Sequence, residues 1–292
     1  MKIRVLAAAI ITSLLLSSCG STGGGGRFNI VASFYPMYVT LLNLTEGCDG
    51  VTVTNLTDTN VGCLHDYTLT TGDLKKLSSC DMLVINGAGM EPFMDKIKEN
   101  SKSLYIVDAS RNVKMIEEHG ETNPHVWLSF PELFSQIKTV KDELCKRDPQ
   151  NAAVYEENMR AYTDKLNVLM IEAHEKLDGF KGQKIVTFHE AFDYLARDYG
   201  IDIAATIVRD EHSAPTPAEI ASAIELIKKD GIRGLFTEPN STDGATATIA
   251  TATGRKVYTL DPVVTPAAGV ADKDAYIVAM GKNIEAVAAA LS

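Results

Sequence analysis

The sequence predicts an α/β protein with two lobes, each built on a four-stranded parallel sheet with flanking helices, and one long helix joining them. Three observations carry this reading. From Phe28 onward, short apolar runs alternate with stretches of helical period, the order that parallel strands and crossover helices require, and the alternation passes through four strands twice. Between the two sets, Asp148-Pro149 opens a helix and no Gly or Pro follows until Gly179, so one helix is expected over 148–179. Without the leader described next, about 270 residues remain, which bury roughly 75% of the unfolded surface and exceed what one core usually encloses.

The first segment is an address. Lys2 and Arg4 precede a mostly apolar run over 5–16 and then small residues, the order of a secretory signal, expected over 1–18. The run is too short to span a bilayer comfortably. Its end, Leu16-Ser17-Ser18-Cys19-Gly20, resembles the lipobox of bacterial lipoproteins and implies an acylated Cys19. Residues 19–27 then read as the lipidated Cys and a Gly-rich tether. The expected location is exported, lipid-anchored on the outer face of the cytoplasmic membrane.

In the N-terminal lobe, 28–147, strands are expected at 28–34, 51–56, 82–86 and 104–107, with helices after Pro36, Gly72, Glu91 and Pro131. In the C-terminal lobe, 180–292, they are expected at 184–188, 203–208, 234–237 and 256–260. On the linking helix, Val154, Tyr162, Leu166, Leu169 and Leu177 are the positions that would lie on both lobes. Its stiffness predicts small rocking motions rather than a wide hinge. Four cysteines remain after Cys19, at 48, 63, 80 and 145; export permits disulfides, and the three complete pairings stay open.

Lys and Arg number 28 and Asp and Glu 38, a net charge of −10, which excludes a general attraction to nucleic acid or anionic membrane. A small cation is the expected partner. In open parallel sheets, ligands sit beyond the carboxyl ends of the strands. There the sequence places His65 several residues after the second strand, His125 in the loop after the fourth, His189 directly after the fifth and Asp261 directly after the eighth. Imidazoles with one carboxylate suit a first-row divalent ion, with Zn2+ favoured and Mn2+ tolerated. Cys63, two residues before His65, reads as a disulfide partner or buried thiol, with a further metal contact as the alternative.

Five blocks give a more specific signal: HDYTLTTGDLKKL at 65–77, INGAGMEPF at 85–93, NPHVWLS at 123–129, VTFHEAFDYLARDYG at 186–200 and VYTLDP at 257–262. In this order they resemble the zinc/manganese-binding lipoproteins that serve bacterial ABC importers. The resemblance implies two pseudo-symmetric lobes, a long backbone helix and one metal in the cleft between lobes, held by His65, His125, His189 and Asp261. It implies handover to an ABC permease with its ATPase subunit, by a monomer. Glu238, in FTEP, is the rival for the fourth position, against a structural pairing; a water is the third option. His119, in an acidic loop, is a candidate accessory contact. Two departures from the commoner pattern stand beside ligands: Asn123 where Asp often precedes Pro-His, and Cys63-Leu64 where Asp-Pro often precedes the first His. His174 and His212 receive no role.

Two other classes compete. A zinc hydrolase also uses three imidazoles, but His189-Glu190 lacks the second His of HExxH, and the ligands are spread over nearly 200 residues. A surface adhesin needs no metal at all, and stoichiometric metal separates it from a carrier.

Overall fold

The computed structural model describes residues 27–100, 103–118, 120–207, 214–239 and 244–292. The signal segment, Cys19, His119, His212 and the end of the strand expected at 203–208 lie outside the described residues.

The first sheet comprises β1 (Phe28–Ala32), β2 (Val51–Asn55), β3 (Met82–Ile85) and β4 (Tyr105–Asp108), all parallel, in the order β2-β1-β3-β4. A short antiparallel hairpin of β5 (Glu117–Glu118) and β6 (Glu121–Thr122) follows, which the strand pattern did not predict because two-residue strands carry no period. The second sheet comprises β7 (Lys184–Thr187), β8 (Asp202–Thr206), β9 (Gly234–Thr237) and β10 (Val257–Thr259), in the order β10-β9-β7-β8. Read from its other edge, this is the same order as the first sheet. In each, the chain leaves its first strand to one side and returns on the other, so a switch point lies between β1 and β3 and another between β7 and β9. Such points are where open α/β sheets receive ligands.

The crossover helices start where local chemistry favours it. α1 (Tyr35–Leu44) has Pro36 in its first turn. α2 (Thr71–Ser78) opens with a capping box in which Thr70 and Asp73 satisfy each other's backbone N–H. α3 (Met94–Asn100) precedes β4, and α4 (Phe130–Arg147) is capped by Ser129, whose hydroxyl accepts from the Glu132 N–H. The linking element is α5 (Ala152–Leu177), 26 residues or about 39 Å. It is shorter than expected because Pro149–Asn151 forms a 3-10 turn, held by Asp148, whose carboxylate accepts from Tyr155 Oη and Asn151 Nδ2, both at 2.6 Å. Its buried stripe is Tyr155, Tyr162, Leu166, Leu169, Ala173 and Leu177, so Tyr155 takes the inward place expected for Val154. α6 (Asp193–Tyr199), α7 (Pro217–Asp230), α8 (Gly244–Thr253) and α9 (Ala275–Leu291) complete the second half.

α5 packs on α1 and α4 of the first half and on α9 of the second. The main apolar core therefore runs without interruption from Ile30 and Leu83 through Trp127 and Leu166 to Leu260 and Ile284. A smaller cluster, including Val186, Ile227, Leu235 and Ile249, packs the second sheet against α7 and α8. Hydrogen bonds cross between the halves: Tyr35 Oη to Asp272 (2.9 Å), Trp127 Nε1 to the Pro262 carbonyl (2.8 Å), Tyr276 Oη to the Trp127 carbonyl (2.7 Å) and Tyr194 Oη to the Asn123 carbonyl (2.8 Å). Opening the cleft widely would break these bonds, and the three that are buried, made by Trp127, Tyr276 and Tyr194, would each cost about 1–3 kcal/mol for groups left unpaired.

Candidate metal centre

Three segments far apart in sequence bring imidazoles to one point. His65 lies in the loop between β2 and α2, half-buried; Tyr67, two residues on, donates to Asp73 at 2.8 Å and so ties this loop to the capping box of α2. His125 is fully buried after Pro124. His189 follows β7 by two residues, in extended backbone at the switch point of the second sheet. Ring centroids are 5.2 Å apart for His65 and His125, 5.1 Å for His125 and His189, and 6.4 Å for His65 and His189. Among the described residues, one group offers ligand atoms that all lie within 4.8 Å of one another: Cys63, His65, His125 and His189.

The surrounding residues decide which nitrogen the His125 and His189 rings present. Asn123 Oδ1 accepts from the His125 backbone N–H at 3.0 Å and lies 2.9 Å from His125 Nδ1, so Nδ1 carries the proton. Asn123 is itself oriented by donating to Asp193 Oδ2 (2.9 Å) and to the Glu190 carbonyl (3.1 Å). His125 Nε2 then keeps its lone pair and faces His65 Nε2 at 3.4 Å. On the opposite side, His189 Nδ1 donates to Glu238 Oε1, which directs His189 Nε2 toward the other rings. A carboxylate or carbonyl behind a ligand imidazole fixes its tautomer and raises its basicity. This arrangement assigns Glu238 an orienting contact with His189, and it lies outside the four-residue group.

Asp261, expected as the fourth ligand, follows β10 (Val257–Thr259) by two residues. Its carboxylate accepts from the Val263 N–H at 2.7 Å, and its backbone N–H and carbonyl are bonded to the Asn283 side chain. Val263 has φ +62°, a left-handed conformation costly for a β-branched residue, and the Asp261 bond helps to hold that turn. Burial raises the Asp261 carboxyl above the usual range, and the neighbouring Glu238 adds to it against the Val263 bond. Asp261 is not part of the four-residue group.

The INGAGMEPF block acts from behind the site. Glu91, buried, accepts from Ser33 Oγ (2.7 Å) and from the Asn86 (2.7 Å) and Gly87 (3.1 Å) N–H groups. Gly87 adopts φ +79°, and a Cβ there would sit 2.0 Å from Asp108 Oδ1, so this turn requires glycine. Asn86, held by Gln136, donates Nδ2 to the Pro124 carbonyl at 2.9 Å and so anchors the backbone just before His125. Sequence reasoning identified the block as family-like without seeing this use; an Asn and a Glu flanking Gly87-Ala88-Gly89 were the available signal. All four body cysteines are thiols, and Cys63 is buried with Sγ 3.6 Å from His125 Nε2. His174 is exposed on α5 and pairs with Asp178 at 3.1 Å.

Burial holds the His125 imidazole well below its usual range, and the neighbouring His189 and His65 push it the same way. In the unfolded chain this ring takes up a proton near pH 6.5; in the folded protein it does so only at much lower pH. The unfolded state therefore binds more protons below 6.5, and stability of the metal-free protein falls as pH drops through that window, by at most about 1.4 kcal/mol per pH unit from this group. Glu91 works in the opposite sense, since burial pushes its carboxyl up to about 7. The isolating measurement is thus a difference: between pH 7 and pH 5 the melting temperature of His125→Gln should fall less than that of the wild type. Equal falls would contradict a buried neutral His125.

Two same-order parallel sheets around a long helix, with imidazoles gathered at their carboxyl edges, give the two-lobed fold of a solute-binding protein with a candidate metal centre. The chain belongs to the family described as zinc-uptake complex component A, periplasmic, which matches residues 30–290. The zinc-binding lipoprotein AdcA of Streptococcus pneumoniae is 27% identical over 98% of this chain and 60% of the relative, so the chain spans about 60% of that protein's length. The manganese-binding lipoprotein MntA of Halalkalibacterium halodurans is 25% identical over 97% of this chain and 96% of the relative. The solved structure of the solute-binding protein FpvC from Pseudomonas aeruginosa with Ni2+ superposes with a TM-score of 0.80 at 26% identity, covering 91% of this chain and 97% of that one.

Proposed function

We propose that this chain is the extracytoplasmic capture component of a bacterial metal importer: it takes one Zn2+, or Mn2+, between its lobes through His65, His125 and His189 and delivers it to an ABC permease driven by its ATPase subunit. The observation that carries the reading is the convergence of three imidazoles, two of which, His125 and His189, have tautomers set so that Nε2 faces the group. Two ligand nitrogens at about 2.05 Å from a tetrahedral Zn2+ stand about 3.3 Å apart. The separation of His65 Nε2 and His125 Nε2 is 3.4 Å. Pre-set ligand spacing means that little ordering remains to oppose binding.

A lipid on Cys19 would keep the body at the outer face of the cytoplasmic membrane, and the names of the relatives as lipoproteins support that. Among the described residues no helix is long and apolar enough to cross a membrane. We read the chain as a monomeric carrier and not an enzyme. Glu190 would be the general base of a hydrolase, yet it opens a short helical turn without the second His of HExxH.

Calorimetric titration of chelator-stripped protein with Zn2+ tests the proposal. One equivalent bound per chain, accompanied by a rise in melting temperature, is the expected result. A chain that takes up no metal, as an adhesin would, is the result that refutes it.

A further inference from the structure

Three imidazoles leave one corner of a tetrahedron to fill, and neither acid considered for it belongs to the group: Glu238 is engaged by His189 Nδ1, and Asp261 accepts from Val263. The remaining member is Cys63. Its geometry can be checked against coordination chemistry without any ion in place. With Zn–S about 2.3 Å and Zn–N about 2.05 Å, a tetrahedral sulfur and nitrogen stand about 3.6 Å apart. Cys63 Sγ and His125 Nε2 are 3.6 Å apart, and His125 Nε2 and His65 Nε2 are 3.4 Å apart, so two edges of the expected tetrahedron are already formed at the same nitrogen. Cys63 is 6% exposed and His125 0%, which places this pair on the inner side of the site, with half-buried His65 on the outer side.

We propose that the Cys63 sulfur is the fourth metal ligand and the residue that sets which cation is carried, giving a sphere of three nitrogens and one sulfur that selects Zn2+ and rejects Mn2+. The inference rests on the three-imidazole reading above and adds cargo choice to it. Thiolate is a soft donor suited to Zn2+ and poorly matched to Mn2+, which prefers carboxylate, carbonyl and water oxygen. On binding, the S–H bond breaks, the proton passes to solvent and a sulfur–metal bond forms; no electrons are transferred. The thiolate also removes one positive charge from the bound ion, as a carboxylate would, within the same four-coordinate sphere. This gives a physical meaning to the Cys63-Leu64 departure in front of the first His.

Co2+ is the probe, because sulfur ligation to it produces a near-ultraviolet charge-transfer band that nitrogen and oxygen ligands do not. Stripped wild-type protein titrated with Co2+ should show that band together with the strong visible absorption of a four-coordinate ion. Cys63→Ser should lose the charge-transfer band, keep visible absorption from the three imidazoles, and narrow the ratio of Zn2+ to Mn2+ affinity by at least about tenfold. A wild-type Co2+ complex with imidazole-type visible bands and no sulfur band overturns the role of Cys63 while leaving the three-histidine site standing. Failure to bind Co2+ or Zn2+ at all overturns both. The wild-type spectrum decides the matter even if Cys63→Ser does not fold.

Discussion

Replacing Trp127 with Ala should lower the unfolding free energy by about 3–5 kcal/mol, the usual range for a buried large-to-Ala change. The indole is fully buried, meets Phe34 edge-on at 5.2 Å and lies 5.3 Å from the His125 ring. Its Nε1 donates to the Pro262 carbonyl of the second half, and its own carbonyl accepts from Tyr276. Truncation leaves a cavity at the junction of the two halves and an unpaired carbonyl beside the left-handed Val263. Denaturant unfolding followed by circular dichroism should show a lower midpoint with an unchanged slope. Trp127→Phe, which keeps much of the volume but not the N–H, should lose less. A shift below about 1 kcal/mol for the Ala variant would mean that the core is not continuous across the halves, contrary to the packing described.

Replacing His65 with Ala should weaken Zn2+ binding roughly 10²–10³-fold while leaving the stability of the metal-free protein nearly unchanged. A four-ligand zinc site contributes about 10–16 kcal/mol, so one ligand accounts for roughly 2.5–4 kcal/mol, which is that change in affinity. His65 is the ligand suited to this test because it is half-buried, whereas His125 is enclosed between Trp127 and His189 and its loss would also open the core. Competition against a chelator of known affinity measures the effect, and thermal melts without metal supply the control. An affinity within threefold of the wild type would remove His65 from the site. Together the two substitutions separate what folds the groove from what fills it.

The elements were legible because each depends on local pattern. Runs such as Met82–Ile85, buried at every position, and caps such as Thr70 with Asp73 or Thr216 with Glu219 announce strands and helix starts from a few neighbouring residues. The three histidines were legible as positions, since a ligand beyond the carboxyl end of a parallel strand is a topological expectation. Their partners were not. Asn123 stood out only as a departure from a pattern, whereas its Oδ1 sets the His125 proton and its amide reaches Glu190 and Asp193 in the other half. Asp261 was legible as a carboxylate directly after a strand, whereas the turn it stabilises at Val263, two residues on, cannot be seen as strain in a string of letters.

By itself, the sequence determined the order of strands and helices, the long connecting helix, the absence of a nucleic-acid-like charge and the three imidazoles, because periodicity, capping and charge are properties of residues and their near neighbours. Only the tertiary structure decided that one core runs through both halves, that Glu238 stands behind His189, and that Cys63 lies beside the three imidazoles. Those outcomes depend on distances of a few ångströms between segments separated by tens to hundreds of residues. Side-chain direction at the end of a loop is set by all the packing around it, and sequence spacing carries no record of that direction.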